Sequence, residues 1–142
     1  MATEILVNDG GAPARILNLG NAGAAIEAGI VVDIDSNGKI QAETDDQTGG
    51  TNKAQAVALG VLLVDAVSGA PTSVITGKGI VCNVQSVAGL TVGEELVVDD
   101  AGKLEHSGNL ETDRVFAIAL DSTFSGTDSS GNATNFTKVL II

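Results

Sequence analysis

The chain has 142 residues, of which 18 are acidic and 7 basic, and its formal charge is −11. A surface this acidic repels polyanions, which argues against nucleic acid and anionic membranes as partners. A single cysteine and a single histidine exclude a disulfide framework within the chain and a zinc site of the usual His/Cys kind.

The length suits one domain, able to bury roughly 70% of its unfolded surface. With 3 Phe and no Tyr or Trp, the core is expected from Val, Ile, Leu and Ala. Short apolar runs punctuated by Gly, Asn, Asp, Ser and Thr predict many short strands joined by turns, and Val and Ile favour strand over helix at these lengths. The expected fold class is all-β: a compact sandwich or barrel-like domain, built from two related β-units, behind an extended N-terminal arm.

Residues 1–25 read as the arm. It holds the apolar runs Glu4–Val7 and Ala14–Leu19 around a Gly10-Gly11 turn. The first residues lack the basic start and long apolar stretch of a signal peptide, and no run is long enough to span a membrane as a helix. Residues 26–142 read as a single domain. Strands are expected at Ile30–Ile34, Lys39–Ala42, Ala56–Val64, Ser73–Thr76, Gly79–Val84, Glu95–Val98, Lys103–His106, Arg114–Leu120 and Thr137–Ile142. A short helix is expected near Asn52–Ala58. Asp45–Asn52 and Ser125–Asn135 are polar and Gly-rich and read as exposed loops. Cys82, within the run Ile80–Val84, reads as a buried free thiol.

An internal repeat organises the domain. Gly29–Ile40 aligns with Gly93–Leu104 at a constant offset of 64 residues. Each copy reads Gly turn, strand, Asp-x-x-Gly-Lys turn, strand. Asn37-Gly38 suits a type I′ hairpin turn, which needs two residues with φ > 0. The pseudo-repeats are placed at 26–81 and 90–142, stacked or curled over one shared core.

Motifs that carry chemistry are sparse. Asp33, Asp35, Asn37 and Gly38 match the first half of a calcium loop, but its twelfth position is Thr44, where a bidentate Glu belongs. A hairpin turn with solvated carboxylates explains them, and weak calcium binding stays open. Thr76-Gly77-Lys78-Gly79 lacks the spacing of a phosphate loop. His106, at a strand end, has no nucleophile placed beside it by any motif, and Asp128-Ser129-Ser130-Gly131 reads as a loop. The acids of Asp45-Asp46 and Glu94-Glu95 are adjacent in sequence; in a strand they face opposite sides, so neither pair makes a dyad. The reading is a protein that is not an enzyme, with no catalytic, cofactor-binding or metal residues and no cofactor.

Ala28-Gly29 before a strand, the repeated Asp-x-x-Gly-Lys turn, Ala58-Leu59-Gly60-Val61-Leu62-Leu63 and Ala117-Ile118-Ala119-Leu120-Asp121 resemble the capsid decoration, or cement, proteins of tailed bacteriophages, and more distantly the head decoration protein of phage lambda. The likeness covers residues 23–142. It implies a structural virion protein on the outer surface of an icosahedral capsid, made in the host cytoplasm, with the major capsid protein and its own copies as partners. It also implies a homotrimer at three-fold or quasi-three-fold positions that stabilises the lattice. Another structural β-module of a virion, in a tail, fibre or surface layer, is the alternative. The arm is expected to add a strand to a neighbour's sheet edge, with Ile5, Leu6, Val7, Arg15, Ile16 and Leu17 as the capsid contacts; as the protein's own first strands it would serve equally.

Overall fold

The computed structural model describes residues 1–7, 11–43, 58–107 and 115–142. These residues form eleven strands and no helix: β1 (Arg15–Asn21), β2 (Val31–Ile34), β3 (Ile40–Ala42), β4 (Gly60–Leu62), β5 (Pro71–Thr76), β6 (Val81–Gln85), β7 (Glu95–Val98), β8 (Leu104–His106), β9 (Ala117–Ala119), β10 (Phe124–Thr127) and β11 (Ala133–Ile141). The helix expected near Asn52–Ala58 and the loop Asp45–Asn52 lie outside the described residues, except Ala58, which is not helical.

Two antiparallel sheets form a sandwich-like arrangement. The first has five strands in the order β1-β5-β4-β2-β3; the second runs β10-β11-β9-β7-β8, with β6 also paired to β11. Setting β10 aside, the second sheet repeats the first strand for strand, with β6, β11, β9, β7 and β8 in place of β1, β5, β4, β2 and β3. Both units are tied at the same point by a parallel bridge, Ala22 to Ile40 and Ser86 to Leu104. The repeat seen in the sequence at the hairpins thus extends in space to the strand before each hairpin. Arg15–Asn21, placed in an arm on sequence, is the edge strand of the first unit, because it pairs along its length with β5.

The hairpin turns are built alike. In the first, the Gly38 amide donates to the Asp35 carbonyl at 3.0 Å and the Asp35 amide to the Lys39 carbonyl at 2.8 Å. Asp35 Oδ1 accepts from the amides of Asn37 and Lys39. Asp99 repeats this with the amides of Ala101 and Lys103, and Gly38 and Gly102 share a φ of 76°. This is a four-residue turn from Asp to Gly with a glycine bulge, in place of the expected type I′ turn on Asn37-Gly38. The Asp side chain takes up two amides that a two-residue loop would have to pair across the strands.

Asp128 caps a third such turn, with the amides of Ser130 and Asn132. It joins β10 to β11, so the expected loop over Ser125–Asn135 is instead a hairpin. Its sequence is too polar to show strand alternation; pairing with β11 and packing of Phe124 on Phe136, ring centres 6.1 Å apart, supply the missing drive.

The second unit wraps one core. Leu96, Val98, Leu104, Ala117, Ala119, Val139 and Cys82 are buried in it, and Val31, Val61 and Ile75 of the first sheet join the same cluster. The residues beside them in those strands, Val32, Leu62 and Val74, fill a smaller core inside the first unit. The start of β2 and the strand β4 are therefore buried on both faces, which explains why Ile30–Val32 and Val61–Leu63 read as unbroken apolar runs. The core is not wholly aliphatic: Phe136 is 1% exposed and is among its largest members.

The two units lock where the second hairpin turn meets β2. The Val31 amide donates to the Gly102 carbonyl at 2.8 Å. A Cβ on Gly102 would lie 2.6 Å from the Val31 carbonyl oxygen and 2.6 Å from Ile30 Cγ2, whereas one on Gly38 meets nothing within 4 Å. Gly38→Ala should cost about 1–2 kcal/mol, the penalty of a left-handed residue. Gly102→Ala should cost a further ~1–3 kcal/mol for the steric conflict. Urea denaturation of both variants measures the difference; equal losses would refute this account of the junction.

Candidate interaction surfaces

The residues that sequence reading weighed for chemistry are mostly occupied with structure. Asp35 is the turn cap described above. Asp33 is 5% exposed, so the carboxylates of this motif are not both solvated; the Asp-x-Asp alternation puts one acid inward and one in the turn. Among the described residues no group of three His, Cys, Asp or Glu side chains is placed to hold a metal ion. Gly77-Lys78-Gly79 forms the turn from β5 to β6, with both glycines at positive φ.

His106 ends β8, and its Nδ1 lies 3.1 Å from Glu94 Oε2. The other Glu94 oxygen accepts from the Thr91 hydroxyl at 3.0 Å. Glu94, Glu95, His106 and Ser107 line a shallow pocket of about 240 Å³. A second pocket, of about 250 Å³, lies where the two units meet, beside Leu59, Lys78, Val98 and Phe116. Its lining is largely apolar, with Lys78 as its titratable side chain.

Cys82, the second residue of β6, is fully buried. Loss of water around the thiolate pushes its pKa up from 9.0 to about 12, so it carries no nucleophile at neutral pH.

The capsid contacts expected from sequence fall into two groups. Ile5, 6% exposed, belongs to the main core, and Leu6 packs against that core. Their segment lies along the outer edge of β6: the Asn83 amide donates to the Ile5 carbonyl at 2.8 Å and the Val7 amide to the Val81 carbonyl at 3.2 Å. The Thr3 amide in turn donates to the Thr127 carbonyl of β10 at 2.8 Å. Ile5, Leu6 and Val7 thus cover an edge of the protein's own second sheet.

Arg15, Ile16 and Leu17 lie on β1, whose one strand partner among the described residues is β5. Arg15 is exposed, and Ile16 and Leu17 keep 47% and 42% of their surface open to solvent. β1 and β6 are counterparts in the two units, yet among the described residues only β6 has a segment laid along its outer edge. A bare edge strand with exposed apolar side chains is a template for pairing with another chain. The sequence marked these residues as apolar and strand-forming but could not tell the covered strand from the open one.

Among known proteins, no family model matches the sequence, and no curated relative does. Among solved structures that share the fold is the crystal structure of the head fiber gp8.5 N base in bacteriophage phi29. It aligns over 90% of this chain and 94% of that one, with a TM-score of 0.55 and 16% sequence identity. The fold of this chain therefore resembles that of a phage head fiber protein.

A thiol whose pKa is raised by folding stabilises the native state below the unfolded value and loses that contribution as pH climbs through the folded one. Wild-type stability should hold to about pH 9 and then decline toward pH 12. Subtracting the same titration of Cys82→Ala isolates the thiol; parallel curves would refute the burial of this group. Alkylation of native Cys82 at pH 8 should be negligible and should run to completion in denaturant.

Proposed function

We infer that the protein is a structural component of a phage virion with no catalytic role. In this reading it binds the outer surface of an icosahedral capsid as a homotrimer at three-fold or quasi-three-fold positions and stabilises the major capsid lattice. The observation that carries the reading is the open edge of β1. A strand or extended loop of the major capsid protein pairs with its backbone, while Arg15 and Ile16 supply charge and apolar contact. Many copies of one modest contact, repeated over a shell, add by multivalency.

The net charge of −11 supports a role outside the shell, away from packaged polyanion. The fold shared with a phage head fiber base is consistent with a virion component. That same likeness favours a second reading, a base or surface module for a fibre, which differs in carrying another protein outward rather than holding the lattice together.

Cosedimentation with expanded capsids tests the reading. Wild type should saturate the shell and raise its disruption temperature. Ile16→Lys with Arg15→Glu should weaken binding at least tenfold with the fold unchanged. Saturation without a gain in shell stability would favour the fibre base, and no binding at all would sink the capsid reading.

A further inference from the structure

The two units are equivalent in strand order but not in what covers them. The face of the first unit that carries Val31, Val61 and Ile75 is fully buried against the second unit. Its counterpart in the second unit carries Glu95, Ile118 and Leu140, which are exposed or half-exposed. The opposite surface shows the same imbalance. Cys82 and Val98 of the second unit are 0% exposed in the shared core, while their counterparts Leu17 and Ile34 are 42% and 51% exposed.

The turns follow suit. The Gly102 turn sits on Ile30, Val31 and the Glu43 amide, whereas a Cβ on Gly38 would meet nothing within 4 Å. The positions equivalent to Ile30, Val31 and Glu43, each 64 residues on, are Glu94, Glu95 and Ser107. These line the 240 Å³ pocket beside His106. Among the described residues one internal junction is thus made, and both halves of a second such junction remain open.

We propose that the Asp35–Lys39 turn and the exposed Leu17 and Ile34 of one chain dock on the Glu94–Glu95–Ser107 pocket and the Ile118–Leu140 face of a second copy. The contact repeats between chains the junction that already joins the two units within one chain. Lys39 supplies the charge that complements Glu94 and Glu95. Gly38, like Gly102, lacks the Cβ that would hold the carbonyl away from its seat. Leu17 points to the opposite side of β1 from Ile16 and to the same side as Arg15, so this contact leaves Ile16 and the backbone edge of β1 to the capsid.

Such a contact is head to tail. It closes into a ring or runs on as a filament according to the rotation between copies, and the trimer inferred above is one such ring. The inference names the surface for that self-association. It is tested on free protein, so it stands or falls apart from capsid binding.

Sedimentation of the full chain provides the test. Wild type should sediment as an oligomer. Ile34→Arg, which spoils the docking end, and Glu95→Arg, which spoils the seat, should each sediment as monomers with unchanged circular dichroism. Mixed in equal amounts, they should form a dimer and nothing larger, because one intact end and one intact seat remain. A wild-type monomer at the highest soluble concentration would overturn the proposal. So would variants that assemble like wild type, or a mixture that stays monomeric. Oligomers that form as described but ignore capsids would uphold the junction and sink the capsid reading alone.

Discussion

The Val31 amide and the Gly102 carbonyl meet at 2.8 Å, and much of the molecule is arranged around that approach. The second hairpin turn can come this close only because residue 102 has no side chain and its φ is positive. Once it is seated, the outer face of the first sheet is drawn out of water onto the core of the second. Burial of Val31, Val61 and Ile75, all 0% exposed, supplies the larger share of the energy, at roughly 1.5–3 kcal/mol for each side chain fully buried. The hydrogen bond sets the register of that burial rather than its magnitude, since its net worth is about 1 kcal/mol.

Duplication within one chain has a consequence for the surface. Two equivalent units joined by a directional contact always leave one donor end and one acceptor end unmatched. The exposed apolar side chains on β1 and β2 and the half-exposed face of β7, β9 and β11 are those ends. The chemistry of the two seats differs in a way that fits their use. The filled seat offers Ile30 and Val31, both buried; the open one offers the acidic Glu94 and Glu95. The unit that gained an extra hairpin, β10 with the start of β11, places it against the N-terminal Thr3, so the segment that covers β6 is fixed at both ends.

The polar groups weighed for chemistry are tied into the architecture. Asp35, Asp99 and Asp128 each cap a turn through one carboxylate oxygen. The thiol is buried and protonated. The histidine is paired with a glutamate at the rim of a shallow pocket. The side chains that distinguish the described surface are apolar ones on strand edges and faces.

Strand identity, the all-β class and the hairpin repeat were legible in the sequence, because apolar runs, β-branched residues and Asp-x-x-Gly turns act over a few neighbouring positions. Even there, local rules misjudged the turn type at Asn37-Gly38, where the Asp35 side chain competes for amides, and hid β10, whose polar strand is held by its partner. What tertiary structure alone decided is which edges and faces are covered. Leu6 and Leu17 look alike as members of short apolar strands, yet Leu6 packs against the core while Leu17 stands open. Gly38 and Gly102 occupy the same motif, yet one turn is free and the other seated. Pairing and stacking between residues far apart in the chain set these differences, and no local pattern of side chains records them.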